Sequence, residues 1–320
     1  MEWMNFLAGN QHATPFQSFS FFRLFNSVEQ LTADAFAISE NGKIKALAVV
    51  TIQKETGLKS LFSRRAIIYG GPLVDETCPQ AIDALLNAIN INLSSWTIYL
   101  ETRNLSDYSL LKDVFSRNGY EYVPYLNYIV DTGNADLMIQ NISKSRLRQI
   151  KKAQRQSVKC LEAQNEDEVM LFYLMLKDFY KKKIKKPLPG EDFFINFFRQ
   201  GLGKYLLVWH EEDLIGGILC PFLPGKVLYE FYICGRDDKF RELYPSAIVT
   251  WSALEYASRN NYQCFDFMGA GKPDEQYGVR DFKSRFGGRQ VEYGRFLMVR
   301  KPVLYYIGKS ALQLKRKIFK

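Results

Sequence analysis

The sequence has few histidines, few cysteines and no long apolar run, and each shortage excludes a class of protein. Only His12 and His210 occur in 320 residues, which excludes a histidine-rich metal site and argues against a histidine-activated nucleophile. The five cysteines are an odd number without a C-x-x-C pair, so neither a disulfide framework nor a structural zinc site is expected. The apolar run 214–225 has 12 residues and two prolines, well short of the roughly 20 that cross a bilayer.

Acidic residues are also in short supply relative to basic ones. Lysine and arginine number 43 against 34 aspartates and glutamates, a net charge of +9 that favours anionic partners such as phosphates, RNA or acidic lipid. The N-terminus carries an acid and no basic residue before its apolar residues, which is not the order of a secretory signal, so a cytoplasmic protein is expected. The chemistry must then use carboxylates, lysine, arginine, tyrosine and backbone amides.

Two stretches of the chain resemble each other at an offset of 168 residues. Residues 111–130 align with 279–298 and match at six positions, including Arg117 with Arg285. The preceding apolar and helical segments fall into the same order on both sides. We interpret the chain as two copies of one unit.

The element order within each copy predicts the fold class. A hairpin at 35–52, with its turn at Asn-Gly, has a counterpart at 205–222, and strands and helices alternate after each hairpin. We therefore predict an α/β (α+β) protein in which each copy is a mixed, mainly antiparallel sheet flanked by helices. The predicted domains are residues 1–140, residues 141–300 beginning with a basic helix, and a basic amphipathic helix at 301–320.

A basic segment at 144–159 contains seven lysines and arginines and no acid. At 100° per residue, five of them share one helical stripe that suits a row of phosphates. A solvated face that offsets nearby acids is the alternative. A second basic cluster, 181–186, is interpreted as a solvated turn. The stripe consists of Lys144, Arg148, Lys151, Lys152 and Arg155.

The tail 301–320 carries six basic residues and no acid among its apolar residues. Such a helix can lie on an anionic membrane surface, which would place the protein peripherally at the inner face of the membrane. The same helix can instead pack its apolar side on the domain. Both interpretations remain open at this stage.

The stretch 265–288 is the densest polar and glycine-rich part of the chain. It is not a phosphate-binding P-loop, because Pro273 follows the Gly-Lys pair where Ser or Thr is needed. A strand that ends at Asp266 and opens into a glycine loop can bring Lys283 and Arg285 to an anionic substrate. A turn-rich connection, in which the glycines supply only positive φ, is the alternative.

With these strings in view, the chain resembles the FemAB-like branch of the GNAT acyltransferase superfamily, which is related to peptidoglycan bridge aminoacyltransferases. The similarity spans nearly the whole length, and its last two motifs are the most specific. The motifs are FQSF (16–19), GGPLVD (70–75), the basic segment (143–158), FDFMGAG (265–271) and GVRDFKSRFGG (278–288).

This resemblance implies two tandem GNAT-like units that transfer an acyl or aminoacyl group to the amine of an anionic acceptor in the bacterial cell envelope. Lys283 matches the lysine expected to stabilise developing negative charge, with Phe282 beside it. Asp281 or Asp266 is a candidate to take the amine proton, although both can instead be structural and the family implies deprotonation assisted by the substrate. Arg241 matches an arginine expected at the acceptor phosphates, and Arg23 a basic residue after the FQS motif.

The remaining predicted contacts follow from the same match. Tyr277, Gly278 and Asp266 are expected to bind substrate, and no bound cofactor or metal is expected. The co-substrate is aminoacyl-tRNA or an acyl-CoA. Binding of tRNA would use the basic stripe, chiefly Arg148, Lys151, Lys152 and Arg155.

Two departures from related patterns bear on the donor. The loop 234–246 lacks the Q-x-x-G-x-G/A pattern that holds the pyrophosphate of acetyl-CoA at a helix N-terminus, which disfavours acetyl-CoA. Residues 160–205 are also too few for the long helical arm of some bridge-forming members. The alternatives are a CoA-dependent N-acetyltransferase and a non-catalytic module that binds RNA or a membrane surface.

Overall fold

The computed structural model describes residues 2–54 and 64–318, with side chains described as far as residue 310. In chain order the strands are β1 (Leu31–Glu40), β2 (Lys43–Gln53), β3 (Arg65–Gly70), β4 (Leu73–Val74), β5 (Tyr99–Asn104), β6 (Glu121–Val123), β7 (Leu126–Asp131), β8 (Val158–Glu162), β9 (Gly203–His210), β10 (Asp213–Leu223), β11 (Val227–Tyr229), β12 (Tyr232–Gly235), β13 (Cys264–Asp266), β14 (Arg289–Glu292) and β15 (Arg295–Val299).

The helices alternate with these strands, as the repeated element order predicts. They are α1 (Glu2–Gly9), α2 (Phe19–Asn26), α3 (Ala81–Asn92), α4 (Lys112–Arg117), α5 (Ala135–Asn141), α6 (Lys144–Gln154), α7 (Glu166–Phe179), α8 (Glu191–Arg199), α9 (Pro245–Arg259), α10 (Gly278–Ser284) and α11 (Pro302–Ile318).

The chain forms two compact units, each built on one sheet. Unit 1 comprises Met1–Pro124 with Tyr293–Lys320, and unit 2 comprises Tyr125–Glu292. The sheet of unit 1 has the order β1-β2-β3-β5-β15-β6, with β4 paired to β2. The sheet of unit 2 has the order β14-β7-β13-β11-β10-β9-β8, with β12 paired to β10. Among the described strands each sheet has one parallel pair, β3 with β5 and β11 with β13, so the predicted mixed sheets flanked by helices are confirmed.

The last strand of each repeat joins the other repeat's sheet. Strand β7 follows the first repeat in sequence but pairs with β13 and β14, whereas β15 follows the second repeat and pairs with β5 and β6. The units therefore differ from the predicted division at residues 140 and 300, since β7 and α5 lie in unit 2 while β15 and α11 lie in unit 1. Sequence similarity aligns the repeats but does not show which sheet receives a strand, because the same alternating pattern suits either.

Each unit has its own apolar core beneath its central helix. In unit 1, α3 buries Ile82, Leu85 and Leu86 in a cluster that includes Ile68 and Leu100 of the sheet. In unit 2, α9 starts at a proline, which suits a first helical position, and most of its residues are buried. Truncating one such leucine to alanine would cost about 2–5 kcal/mol. These cores hold the strand ends, where the polar residues lie, in fixed positions.

Candidate active site

The sheet of unit 2 opens at a bulge. Residues 216–219 of β10 pair with β12 and residues 222–223 pair with β11, which leaves Glu230 and Phe231 between the two paired segments. The neighbouring parallel strand β13 pairs with β11 as far as Asp266, whose carbonyl accepts the Glu230 amide at 2.9 Å. Beyond Asp266 the chain no longer pairs with β11, although the Phe267 amide still donates to the Tyr128 carbonyl of β7 at 3.1 Å. Two carboxylates therefore lie where neighbouring parallel strands separate.

Lys283 on α10 reaches this opening and is only 7% exposed. Its ammonium donates to the carbonyls of Phe267 at 2.7 Å and Gly269 at 2.8 Å, and it lies 2.8 Å from Glu230 Oε1. An ammonium has three N–H donors, and all three are used. Lys283 therefore binds the turn after β13 and the Glu230 carboxylate together.

The turn after β13 depends on a glycine. Met268 has φ 55° and Gly269 has φ 128°, and the second value is open to glycine and strained for other residues. This backbone path points the carbonyls on either side of Met268 at Lys283 Nζ. The glycine of the F-M-G-A-G string thus allows the backbone turn that binds Lys283.

Asp266 is 2% exposed and lies beside this turn. Its Oδ1 accepts hydrogen bonds from Asn127 Nδ2 at 2.8 Å and from the Met268 amide at 2.6 Å. Asn127 Oδ1 in turn accepts the Gly269 amide at 2.7 Å. Burial raises the pKa of the Asp266 carboxyl to about 6, against the effect of both hydrogen bonds. The buried carboxyl of Asp266 therefore gains and loses its proton at a pH about two units above that of an ordinary aspartate.

Glu230 is the other buried carboxylate, at 7% exposure. Burial raises its pKa, and the charge and hydrogen bond of Lys283 act in the opposite direction. Its second oxygen, Oε2, is buried and has no hydrogen-bond partner among the described residues. A buried acceptor without a donor costs free energy, so such an atom in a native site calls for a functional explanation.

The predicted basic stripe lies on α6, and its members are exposed. Ser143 caps the helix by accepting the Arg146 amide at 3.3 Å, while Ile150 is buried against the core. Lys152 forms an ion pair with Glu242, so its charge is partly offset within the chain. Lys144, Arg148, Lys151 and Arg155 present their charges to solvent.

Phe282 is next to Lys283 in sequence but faces another partner. Its ring lies 4.4 Å from the guanidinium of Arg146, which also contacts Phe286 at 4.8 Å. Arg146 is buried, and burial lowers its pKa to about 10. Successive residues of a helix point about 100° apart, so Phe282 and Lys283 point in different directions. The contact of Phe282 with Arg146 helps to fix α6 against α10.

The other predicted residues are dispersed. Asp281 is exposed, and Tyr277, 42% exposed, packs its ring over Gly271 at the start of α10. Gly278 is the first residue of that helix. Arg23 is exposed on α2 of unit 1. The structure thus places Asp266 beside Lys283, and it places the rest of this set outside that cluster.

Arg241 lies in a separate groove of unit 2 with a volume of about 570 Å³. Lys239 and His210 also line this groove, together with the acids Glu211 and Glu242. A groove with both basic and acidic side chains can bind a ligand that carries a phosphate beside an amine. It differs in this respect from a uniformly basic surface, which would suit phosphates alone.

The N-terminus of α9, where GNAT enzymes of the acetyl-CoA type hold pyrophosphate, is closed by the chain itself. Pro245 has no N–H, and the Ser246 amide and hydroxyl both donate to Asp237, the amide at 3.3 Å. The amides of Ala247 and Ile248 donate to the Tyr244 carbonyl at 2.9 and 3.1 Å. The first-turn amides are therefore engaged, and a carboxylate already occupies the position that suits an anion.

Two residues of the cluster were not predicted from the sequence. Glu230 appears there as a single acid in the apolar strand around VLYEFYIC, and Asn127 as a single amide in LNYIV. An isolated polar residue in a buried strand is the signal that could have identified both, since it needs a partner there. No group of three or more potential metal ligands occurs in the described ranges.

Comparison with known proteins agrees with the fold and the motifs. Residues 217–312 match the FemAB family, a range that includes Glu230, Asp266 and Lys283. No curated protein matches the chain.

Solved structures match over most of the chain. A crystal structure of FemX has a TM-score of 0.71 at 14% identity and covers 96% of this chain and 97% of its own. The C-terminal DUF2156 domain of a putative lysylphosphatidylglycerol synthetase from Agrobacterium fabrum has a TM-score of 0.62 at 10% identity, with 97% and 95% covered. A tandem GNAT protein from the clavulanic acid biosynthesis pathway has a TM-score of 0.52 at 8% identity, with 85% and 84% covered.

At these identities the solved structures show the fold, and the fold is that of tandem GNAT units. The predicted resemblance to the FemAB-like, GNAT-related branch is therefore confirmed by the family match over residues 217–312 and by the fold of the similar structures.

Proposed function

We propose that this chain is an N-acyltransferase of the FemAB type that moves an aminoacyl group from aminoacyl-tRNA to the amine of an anionic cell-envelope acceptor. The observation that carries the proposal is the buried Glu230–Lys283 pair beside Asp266, at the opening of the unit 2 sheet. The FemAB match includes all three residues. FemX and the domain of a lysylphosphatidylglycerol synthetase, among the similar structures, support a cell-envelope acceptor.

The transfer forms an N–C bond and breaks the ester C–O bond of the donor, and a proton passes from the amine to the departing ribose oxygen. Most of the rate enhancement in such a reaction comes from positioning and electrostatics. In our proposal Glu230 Oε2 accepts a hydrogen bond from the acceptor amine, and Lys283 holds this carboxylate charged and in place. Because Oε2 is buried, the proposal requires that the acceptor amine gain access to it when the substrate binds.

Two features favour aminoacyl-tRNA over an acyl-CoA as donor. The first-turn amides of α9 are already engaged, so a pyrophosphate could bind there only by displacing Asp237. The exposed basic stripe of α6 suits the phosphates of an RNA backbone. A CoA-dependent acetyltransferase is the alternative enzyme, and a non-catalytic RNA-binding module is the alternative outside catalysis.

The donor can be identified by binding. Thermal unfolding with acetyl-CoA and longer acyl-CoAs is compared with filter binding of charged and uncharged tRNA, since a ligand of the native state raises its stability. We expect tighter binding of charged tRNA and no stabilisation by CoA esters. Stabilisation by CoA esters alone would instead assign the acetyltransferase reaction, and RNA binding indifferent to the aminoacyl group would assign the non-catalytic module.

The role of the basic stripe is tested by reversing two of its charges. Arg148→Glu with Lys151→Glu is expected to weaken tRNA binding at least tenfold and to lower the slope of log affinity against log salt by roughly 1.4–1.8, the share of two phosphate contacts. Lys181→Glu with Lys183→Glu makes the same change in net charge in the segment predicted as a solvated turn. Equal losses in the two double variants would show a general charge effect and contradict a specific site on α6.

A further inference from the structure

Helix α11 of unit 1 presents an apolar stripe to solvent. Val303 is 72% exposed, Tyr306 59% and Ile307 61%. Their spacing of three and four residues puts them on one side of the helix. The sequence left open whether this helix packs its apolar residues on the domain, and the structure shows that these three do not.

The opposite side anchors the helix to its unit. The ring of Tyr305 packs edge-to-face on Tyr99 with centroids 5.4 Å apart. Just before the helix, Arg300 donates to the carbonyls of Leu93 at 2.8 Å and Ser94 at 3.4 Å. The start of α11 is therefore held against unit 1, and the direction of its apolar stripe is fixed by these contacts.

An exposed tryptophan lies near the start of α11. Trp96 is 52% exposed, and the ammonium of Lys301 lies 5.1 Å from the centre of its ring. Tryptophan and tyrosine are enriched where protein meets the membrane–water boundary, because one end of the ring system is apolar and the other polar. Tyr306 therefore gives the stripe a side chain typical of a membrane interface, and Trp96 is a second such side chain near the start of the helix.

The charge around the stripe decides which partner fits it. The sequence 301–320, which contains this helix, has six lysines and arginines and no acid. A second copy of the chain would bring like charges together across a symmetric interface, which is unfavourable. An RNA would satisfy the charges but not the apolar stripe. An anionic lipid surface satisfies both, with apolar side chains entering the interface and basic ones meeting the headgroups.

We propose that the face of α11 formed by Val303, Tyr306 and Ile307, together with the basic residues of this helix, docks the protein on an anionic membrane surface. In the described part of the chain no helix is long and apolar enough to span a bilayer, so the contact in this proposal is peripheral. The inference goes beyond the proposed reaction and does not depend on it, since lipid binding needs neither donor nor acceptor.

The test is flotation of the full chain with vesicles of phosphatidylcholine alone or mixed with phosphatidylglycerol. We expect binding to the anionic vesicles that weakens as salt is raised, and little binding to the neutral ones. Tyr306→Ser with Ile307→Glu should reduce the bound fraction at least tenfold. Leu110→Ser, a change at another apolar side chain that is 95% exposed, should leave it unchanged.

Three results would overturn the proposal: equal binding to neutral and anionic vesicles, no binding at low salt, or an unchanged bound fraction in the double variant. Sedimentation velocity of the same proteins covers the competing partner. A dimer that dissociates in the Tyr306/Ile307 variant would assign the face to a second copy of the chain instead. None of these results bears on donor binding, so the membrane proposal and the proposed transferase can fail separately.

Discussion

Each unit has a carboxylate at the same position of its sheet, but the side chains around the two carboxylates differ. Glu101 on β5 pairs with β3 and β15, as Asp266 on β13 pairs with β11 and β7. The strand exchanged between the repeats contributes a side chain to each carboxylate, Arg295 from β15 in unit 1 and Asn127 from β7 in unit 2. Each lies two residues before the strand residue that is paired with the carboxylate. These two residues are related by the same offset as the sequence repeat.

The partner decides the protonation of each carboxyl. Burial raises the pKa of Glu101, but Arg103 at 2.7 Å and Arg295 at 3.2 Å outweigh it and hold the pKa at about 2. Asp266 has an amide in place of a guanidinium, and its pKa is about 6. One scaffold thus gives a permanently charged structural ion pair in unit 1 and a titrating carboxyl in unit 2. Perturbed carboxyls of the second kind are typical of functional sites.

The largest effect is expected from breaking the Lys283–Glu230 pair. Lys283→Met leaves a buried carboxylate without its counter-ion, which costs about 3–5 kcal/mol of unfolding free energy, whereas adding Glu230→Met should restore most of this loss. Urea unfolding measures both variants. A loss below 1 kcal/mol in the single variant would contradict the burial of the pair.

The double variant also separates structure from catalysis. We expect it to fold and to lack transfer activity, because neither methionine can hold an amine or a charge. Transfer by the refolded double variant at the parent rate would reduce the pair to a structural role and remove the observation on which the proposed function rests.

The next effect is on the pH dependence of stability. The pKa of Asp266 is raised above its usual 3.8 to about 6, so the folded state binds this proton more tightly and the contribution is fully present below pH 3.8. It is lost as pH rises through about 6, a change of about 3 kcal/mol. Asp266→Asn keeps the hydrogen-bond acceptor and should remove this decline. Urea unfolding between pH 4 and 7 checks it, and parallel profiles for variant and parent would refute the assignment.

The smallest effect is expected from giving unit 1 the partner of unit 2. Arg295→Asn should raise the pKa of Glu101 above about 2 and cost about 1 kcal/mol at neutral pH, since Arg103 remains. A carboxyl titration by NMR measures the pKa. Arg117→Asn, at an exposed contact 3.9 Å from Asp83, is the control and should change stability by less than about 0.5 kcal/mol. An unchanged Glu101 pKa would show that Arg103 alone sets it.

The sequence predicted the fold through its repeat and the family resemblance through its motifs, but it resolved only part of the candidate site. Lys283 and Asp266 were identified because they stand in a polar, glycine-rich stretch. The family's F-K pair predicts Phe282 beside Lys283, and Asp281 is predicted as a candidate proton acceptor, yet neighbouring residues of a helix point in different directions. Glu230 joins Lys283 across 53 positions of the chain, a contact that no local pattern records.

The exchanged strands also determine which of the two sheets can finish folding first during synthesis. Unit 1 leaves the ribosome first, but its sheet lacks β15 until residues 295–299 have been made. At ordinary translation rates that delay is roughly 10–30 s. During this time β5 has no partner along one of its edges, and β6 lacks the strand with which it pairs. An open, partly apolar strand edge is a template for wrong pairing. The half that begins first therefore finishes last, and the nascent chain has most need of chaperone protection at the centre of unit 1.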